Sequence, residues 1–117
     1  MGGKFMVSVS YVEKNLKKLS REERLFLDRN VDKLKSKIQT LSDDNTDFSR
    51  IFNNDSIKYD VYNNGFCAVK FNGHRISIRV LYKFIESSEE IEVHLVHIKK
   101  TKGSEYIQIF RKYSDTH

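Results

Sequence analysis

Proline and tryptophan are absent from these 117 residues, cysteine occurs once and glycine five times. Each shortage excludes something. A single thiol, Cys67, leaves no internal disulfide, so nothing calls for an oxidising compartment. Without proline the turns fall to Asn, Gly, Asp and Ser. Without tryptophan the core must come mostly from Ile, Val, Leu, Phe and Tyr. No apolar run approaches the ~20 residues of a membrane-spanning helix, and no secretory pattern opens the sequence. Met6 stands where an N-myristoylation start would have Ser or Thr. The expectation is a cytoplasmic protein with no membrane attachment. No Gly-rich phosphate loop and no Ser/His/Asp arrangement is present. His74, His94, His97 and His117 lack a metal-ligand spacing apart from His94-x-x-His97, whose members point to opposite faces of a strand. Neither a metal nor another cofactor is expected.

What is abundant is positive charge and β-forming sequence. The net charge is +5 with a pI near 9.3, a modest excess that matters if it clusters. The length fits one domain, residues 1–117, with one real core. Within it, 57–62, 66–71, 76–85 and 91–98 are short β-branched and aromatic runs. Asn64-Gly65 and Asn72-Gly73 separate the first three, the strongest short-range hairpin signal. This is an antiparallel meander ending in Lys99, Lys100 and Lys102. A basic meander beside helices points to a polyanion, with RNA as the first expectation.

The N-terminal half reads as a strand and two helices. Residues 5–11 alternate as a strand does. Ser10-Tyr11-Val12-Glu13 offers a capping box for a first helix carrying Val12, Leu16 and Leu19. Ser20-Arg21-Glu22-Glu23 offers a second, followed by Leu27, Val31, Leu34, Ile38 and Leu41 at helical spacing. That stripe would serve either as a coiled-coil seam or, more simply, as core packed on the sheet. Residues 42–55 read as a loop, pinned by Phe48, Ile51 and Phe52. Ser104–Tyr113 is open to either a short helix or a strand. The expected fold is α+β: a small twisted, mainly antiparallel sheet in β-α-α-β-β-β order on an N-terminal helical hairpin.

Hairpin register then says which side chains are neighbours. A two-residue turn at Asn72-Gly73 sets Phe71 beside His74, Val69 beside Ile76 and Cys67 beside Ile78. One face takes Ile76, Ile78, Val80, Tyr82, Phe84, Ile91, Val93, Leu95 and His97. The other collects Arg75, Arg79, Lys83 and His94, with Lys70 at its margin. Lys83 falls opposite Glu92, Leu81 opposite His94 and Arg79 opposite Val96. Solvation alone explains exposed charges on a sheet, and Lys83–Glu92 is most simply a cross-strand ion pair. Arg79 lies mid-strand among apolar neighbours with no acid opposite. His94 is either an idle surface group or an acid–base group near neutral pH. Exposed Phe66, Leu81 and Val96 would instead favour a sheet that serves only oligomerisation.

Arg79-Val80-Leu81-Tyr82-Lys83-Phe84, an acidic loop, and Val93-His94-Leu95-Val96-His97-Ile98-Lys99-Lys100-Thr101-Lys102 together resemble the RelE/ParE superfamily of bacterial toxins, closest to its HigB-like, phage-associated branch. That branch shows an Arg-Ile-Leu-Tyr-Phe-type strand and a hydrophobic strand running into Lys-Lys-Thr-Gln-Lys. Here Gln is absent, Gly103-Ser104 replace Thr-Pro, and the N-terminal half is longer. The match covers residues 74–107. The resemblance implies a RelE-like domain that inhibits translation as a ribosome-dependent mRNA endoribonuclease of a type II toxin–antitoxin system. Its partners would be mRNA, the ribosome and a small antitoxin protein. By position, Arg79 matches the motif arginine, and Lys99, Lys100 and Lys102 match the basic cluster. Metal-free RNA cleavage would use Arg79 and Lys99 for phosphate charge, with His94 and Tyr106 for proton transfer. Lys70, Arg75, Lys83, Lys100 and Lys102 would bind RNA. The rival expectation is a non-catalytic binding module on the same scaffold, recognising a protein such as gyrase or a structured RNA.

Overall fold

In the computed structural model, residues 6–43, 59–85, 87–98 and 105–117 are described. The elements are β1 (Ser8–Tyr11), a 3₁₀ turn (Glu13–Asn15) and α1 (Arg21–Asp43). After them come β2 (Tyr59–Val61), a 3₁₀ turn (Asn63–Gly65), β3 (Phe66–Asn72), β4 (Ser77–Ile85), β5 (Glu90–Ile98) and α2 (Glu105–Thr116). The five strands form one sheet in the order β1-β5-β4-β3-β2. β1 runs parallel to β5, and every other pairing is antiparallel. The fold is α+β, as expected. The expected loop over 42–55 lies, from residue 44 on, outside the described residues, as do Lys99, Lys100 and Lys102.

α1 starts where its capping box places it. The Ser20 N–H donates to Glu23 Oε1 at 2.8 Å, and the Glu23 N–H donates to Ser20 Oγ at 3.1 Å, which satisfies two orphan amides at once. Its stripe of Leu27, Val31, Leu34 and Ile38 is buried against Ile78, Val80, Tyr82, Ile91 and Val93. The stripe is therefore core.

The helical hairpin is corrected. Among the described residues no first α-helix precedes α1, and the 3₁₀ turn Glu13–Asn15 stands in its place. Ser10 and Tyr11, the would-be helix start, are claimed by the ladder with Glu92 and Val93. The Val12 N–H also goes to the Val93 carbonyl at 2.9 Å. What is left before the Ser20 cap is too short to repay the cost of nucleating a helix. Arg24 instead ties the turn down. It grips both Glu13 carboxylate oxygens at 2.7 and 3.1 Å, bonds Asp28 at 2.9 Å, and lies 4.6 Å over the Tyr11 ring. Burial, then the Asp28 carboxylate, push the Tyr11 phenol up to about 12.

Two register corrections decide what faces the site. Asn72-Gly73 is not a two-residue turn: Asn72 pairs with Ser77, Phe71 with Ile78, Val69 with Val80 and Cys67 with Tyr82. Gly73 does not have a positive φ. Its requirement is space, because a Cβ there would overlap the Phe26 ring and come within 2.9 Å of the Ile76 carbonyl oxygen. The left-handed glycine is Gly65, at φ 78° beside Asn64 at φ 58°. The second correction lies on β5. Lys83 does pair with Glu92, and Tyr82 with Val93, but Leu81 pairs with Leu95 and Arg79 with His97. A β-bulge inserts His94 as the extra residue, and side-chain alternation changes hand beyond it. Val96 and Ile98 therefore join the α1 core, while Leu95 and His97 turn to the opposite side.

That opposite side is not an open basic surface. α2 lies across it, and from Glu105 on the segment left open between helix and strand is a helix. Phe66, Ala68 and Leu81 are buried under Tyr106 and Phe110. Phe66 and Leu81 are therefore no oligomerisation patch.

Candidate catalytic site

The bulge aims His94 into a corner made by β3, β5, α2 and the 3₁₀ turn Glu13–Asn15. Its imidazole is bonded on both sides. Nε2 lies 2.7 Å from Glu92 Oε1, and Nδ1 lies 3.0 Å from the Tyr113 hydroxyl. Glu92 shares the face with His94 because side chains two apart on a strand point the same way. Tyr113 reaches it because Tyr106, Phe110 and Tyr113 form one stripe of α2. The Asn15 amide completes the cluster, donating to the His94 carbonyl at 2.9 Å and to the Tyr113 hydroxyl at 3.3 Å.

The floor of the corner is Phe66, fully buried. His94 meets its ring edge-on at 4.8 Å, and Tyr113 does so at 5.7 Å. Lys83 Nζ lies 4.4 Å over the same ring. Lys83 thus spends its charge on the aromatic face while Glu92 gives its carboxylate to His94, and the expected Lys83–Glu92 ion pair is replaced by these two contacts. The His94 side chain is 12 % exposed and Glu92 30 %, so the carboxylate end of the chain is the end that solutes reach.

Arg79 belongs to a second group farther along the strands. It pairs in register with Lys70 on β3 and His97 on β5, a row across three strands. Its guanidinium lies 4.0 Å over the Tyr106 ring. Tyr106 itself is buried, and its ring contacts are Arg79, His97 and Phe110. Its phenol is thus part of the α2 packing. The phenol that meets His94 is Tyr113, seven residues on. Arg75 sits exposed in the connection before β4, off the ladder that carries Arg79 and Lys83. Burial pushes the Cys67 thiol up to about 11, away from the thiolate form a nucleophile needs.

Of the sequence-predicted residues, His94 and Lys83 come together around Phe66, and Arg79 and Lys70 sit in the neighbouring row. Sequence reasoning missed Glu92 as a histidine partner, Tyr113 and Asn15. The first two carried a signal, the i, i+2 spacing on a strand and the helical stripe of α2. Asn15 carried none, because its role depends on a bulge. Among the described residues no group of three or more His, Cys, Asp or Glu is placed to hold a metal, and no helix is long and apolar enough to cross a membrane. No family model, curated protein or solved structure matches this chain.

Proposed function

We propose that this chain is a toxin-like, metal-independent endoribonuclease whose acid–base chemistry is carried by the Glu92–His94 pair. The observation behind it is the hydrogen-bonded series Glu92–His94–Tyr113 beside the Lys83 cation. RNA cleavage without a metal needs a proton taken from the 2′-hydroxyl as its oxygen attacks phosphorus. A proton must then reach the departing 5′-oxygen. An imidazole sharing a proton with a half-exposed carboxylate suits both transfers. Lys83 and Arg79 supply positive charge for the phosphate, Arg79 through the N–H groups of its guanidinium. The motif resemblance over residues 74–107 adds the setting: mRNA on the ribosome as substrate, translation arrest as the outcome, and a small antitoxin as the controlling partner.

One observation favours a different reading. Both ring nitrogens of His94 already have partners, as they would in a purely structural corner of a non-catalytic binding module. Induction of the full chain in a bacterial host, with pulse-labelled protein synthesis and mapping of mRNA ends, separates the two. The nuclease arrests synthesis and leaves new mRNA ends, and His94→Ala abolishes both. Normal growth and synthesis at high soluble expression overturn the toxin reading. RNA binding that survives without cleavage leaves the binding module.

A further inference from the structure

We infer that Asn15 is a positioning residue that, through Tyr113 and together with Glu92, fixes which nitrogen of His94 carries the proton. The inference rests on the reading of His94 as an acid–base group, yet its structural content stands apart from cleavage. As the extra residue of β5, His94 is out of the regular β4–β5 register, and its carbonyl accepts from Asn15 Nδ2 at 2.9 Å. A carbonyl can only accept, so it orients the Asn15 amide with its NH₂ group inward.

The same NH₂ group then faces the Tyr113 oxygen at 3.3 Å. Because that oxygen receives a hydrogen bond from Asn15, the Tyr113 O–H is turned onward to His94 Nδ1 at 3.0 Å. Nδ1 must then be the bare, accepting nitrogen of the neutral ring. The ring proton lies on Nε2, where the Glu92 carboxylate, which can only accept, takes it at 2.7 Å; Asn15 and Glu92 act on opposite sides of the ring to the same end. A fixed backbone acceptor thus sets a one-way order of donors that ends at the carboxylate reachable from solvent. Such orientation by a remote hydrogen bond is how proteins commonly select a histidine tautomer.

Among the described residues, the charged and titratable groups around His94 are few. Glu92 comes from β5 itself, Lys83 from β4 across the Phe66 ring, and Tyr113 from α2. His117 stacks on Tyr113 at 3.9 Å. The 3₁₀ turn contributes Asn15, which is uncharged. Replacing that amide with a carboxylate reverses the order. An Asp at this position accepts the Tyr113 O–H, and the phenol oxygen then becomes an acceptor for a proton on Nδ1.

The test is ring ¹⁵N spectroscopy of the uniformly labelled full chain, titrated across the histidine range. Wild-type neutral His94 is expected to show Nε2 protonated and Nδ1 bare. Asn15→Asp is expected to place a proton on Nδ1 and hold His94 as imidazolium to higher pH. If that variant does not fold, Asn15→Ala in wild-type and Tyr113→Phe backgrounds serves instead. The amide deletion should move the Nδ1 signal in the first and leave it unmoved in the second, because the phenol is the link. A wild-type ring protonated on Nδ1 overturns the inference. So does an Asn15→Asp variant whose His94 signals and titration match wild type, or an equal Asn15→Ala shift in both backgrounds. If the nuclease reading also holds, cleavage by Asn15→Asp falls toward the ~10²–10⁴-fold loss that follows removal of a proton-transfer group. The predicted tautomer shift in a chain that cleaves no RNA upholds the positioning role and overturns only the nuclease.

Discussion

The α1 side of the sheet and its α2 side are made of different materials. Leu27, Val31, Leu34 and Ile38 of α1 meet Ile78, Val80, Ile91 and Val93 of the sheet, all buried, with only Tyr82 in this cluster carrying a polar side-chain atom. Tyr106, Phe110 and Tyr113 of α2 meet Phe66 of the sheet, and around these rings lie Arg79, Lys83, His94 and His97. Aliphatic side chains pack without regard to charge, whereas aromatic rings offer a face to cations and an edge to acceptors. The first arrangement holds the sheet together. The second keeps ionisable groups close to apolar surface without burying their charge, the condition under which acid–base chemistry is practical.

The sharpest way to break this contrast is to cut into each side. Leu27→Ala or Ile38→Ala should each cost about 2–5 kcal/mol, the usual range for truncating a fully buried aliphatic, read as a fall in the denaturation midpoint. A loss under about 1 kcal/mol would show that the α1 side is not the main core. Gly73→Val comes next. Its side chain would have to displace the Phe26 ring, at about 1–3 kcal/mol. A midpoint that does not move would mean that the connection before β4 is packed otherwise.

On the other side the stability effects are smaller and the functional ones larger. Arg79→Ala and Lys83→Ala should each cost only about 0.5–1 kcal/mol, the scale of a partly exposed cation–π contact. Both should weaken RNA binding and flatten its dependence on salt, since fewer counterions are released. Equal binding curves at every salt concentration would reduce both residues to covers for aromatic rings. The smallest effect is at the edge of the α1 side. The Arg24 hydrogen bond holds the Glu13 carboxyl below its ordinary 4.5. Its support is present above that value and fades as pH falls through the lowered one. Thermal midpoints of wild type and Glu13→Gln should therefore differ slightly near neutrality and converge in acid. A gap that widens on acidification would reverse the sign.

How much of this could be read beforehand follows the range of the interactions. α1 was legible because its cap and its stripe are local. The faces of β3 and β4 were legible even though the register was not: Phe71 pairs with Ile78 rather than His74, a slip of four, and an even slip keeps every side chain on its side. β5 fails at one point. A single inserted residue carries no local signature, and it exchanges Leu95 and His97 for Val96 and Ile98. The missing first helix has the same origin, since nothing between residues 8 and 15 announces that β5 will claim them. In the site, Glu92 and Tyr113 were within reach of spacing rules. Asn15 was not, because a carbonyl displaced by a bulge exists only in three dimensions.

The parallel pairing of Val9 with Ile91 bears on how the molecule is born. The β2–β5 strands are joined by neighbouring segments and close without long loops, which is the quick kind of assembly. β1 is different, because its partner leaves the ribosome roughly 4–16 s later at ~5–20 residues per second. Until then the segment carrying Asn15 has nothing to dock on, and α1 has no sheet on which to lay its stripe. Tyr113 arrives later still. The His94 corner is therefore assembled only when the segments carrying Asn15 and Tyr113 have both been made and brought together, and a nascent chain that lacks Tyr113 carries the cations without the acid–base centre.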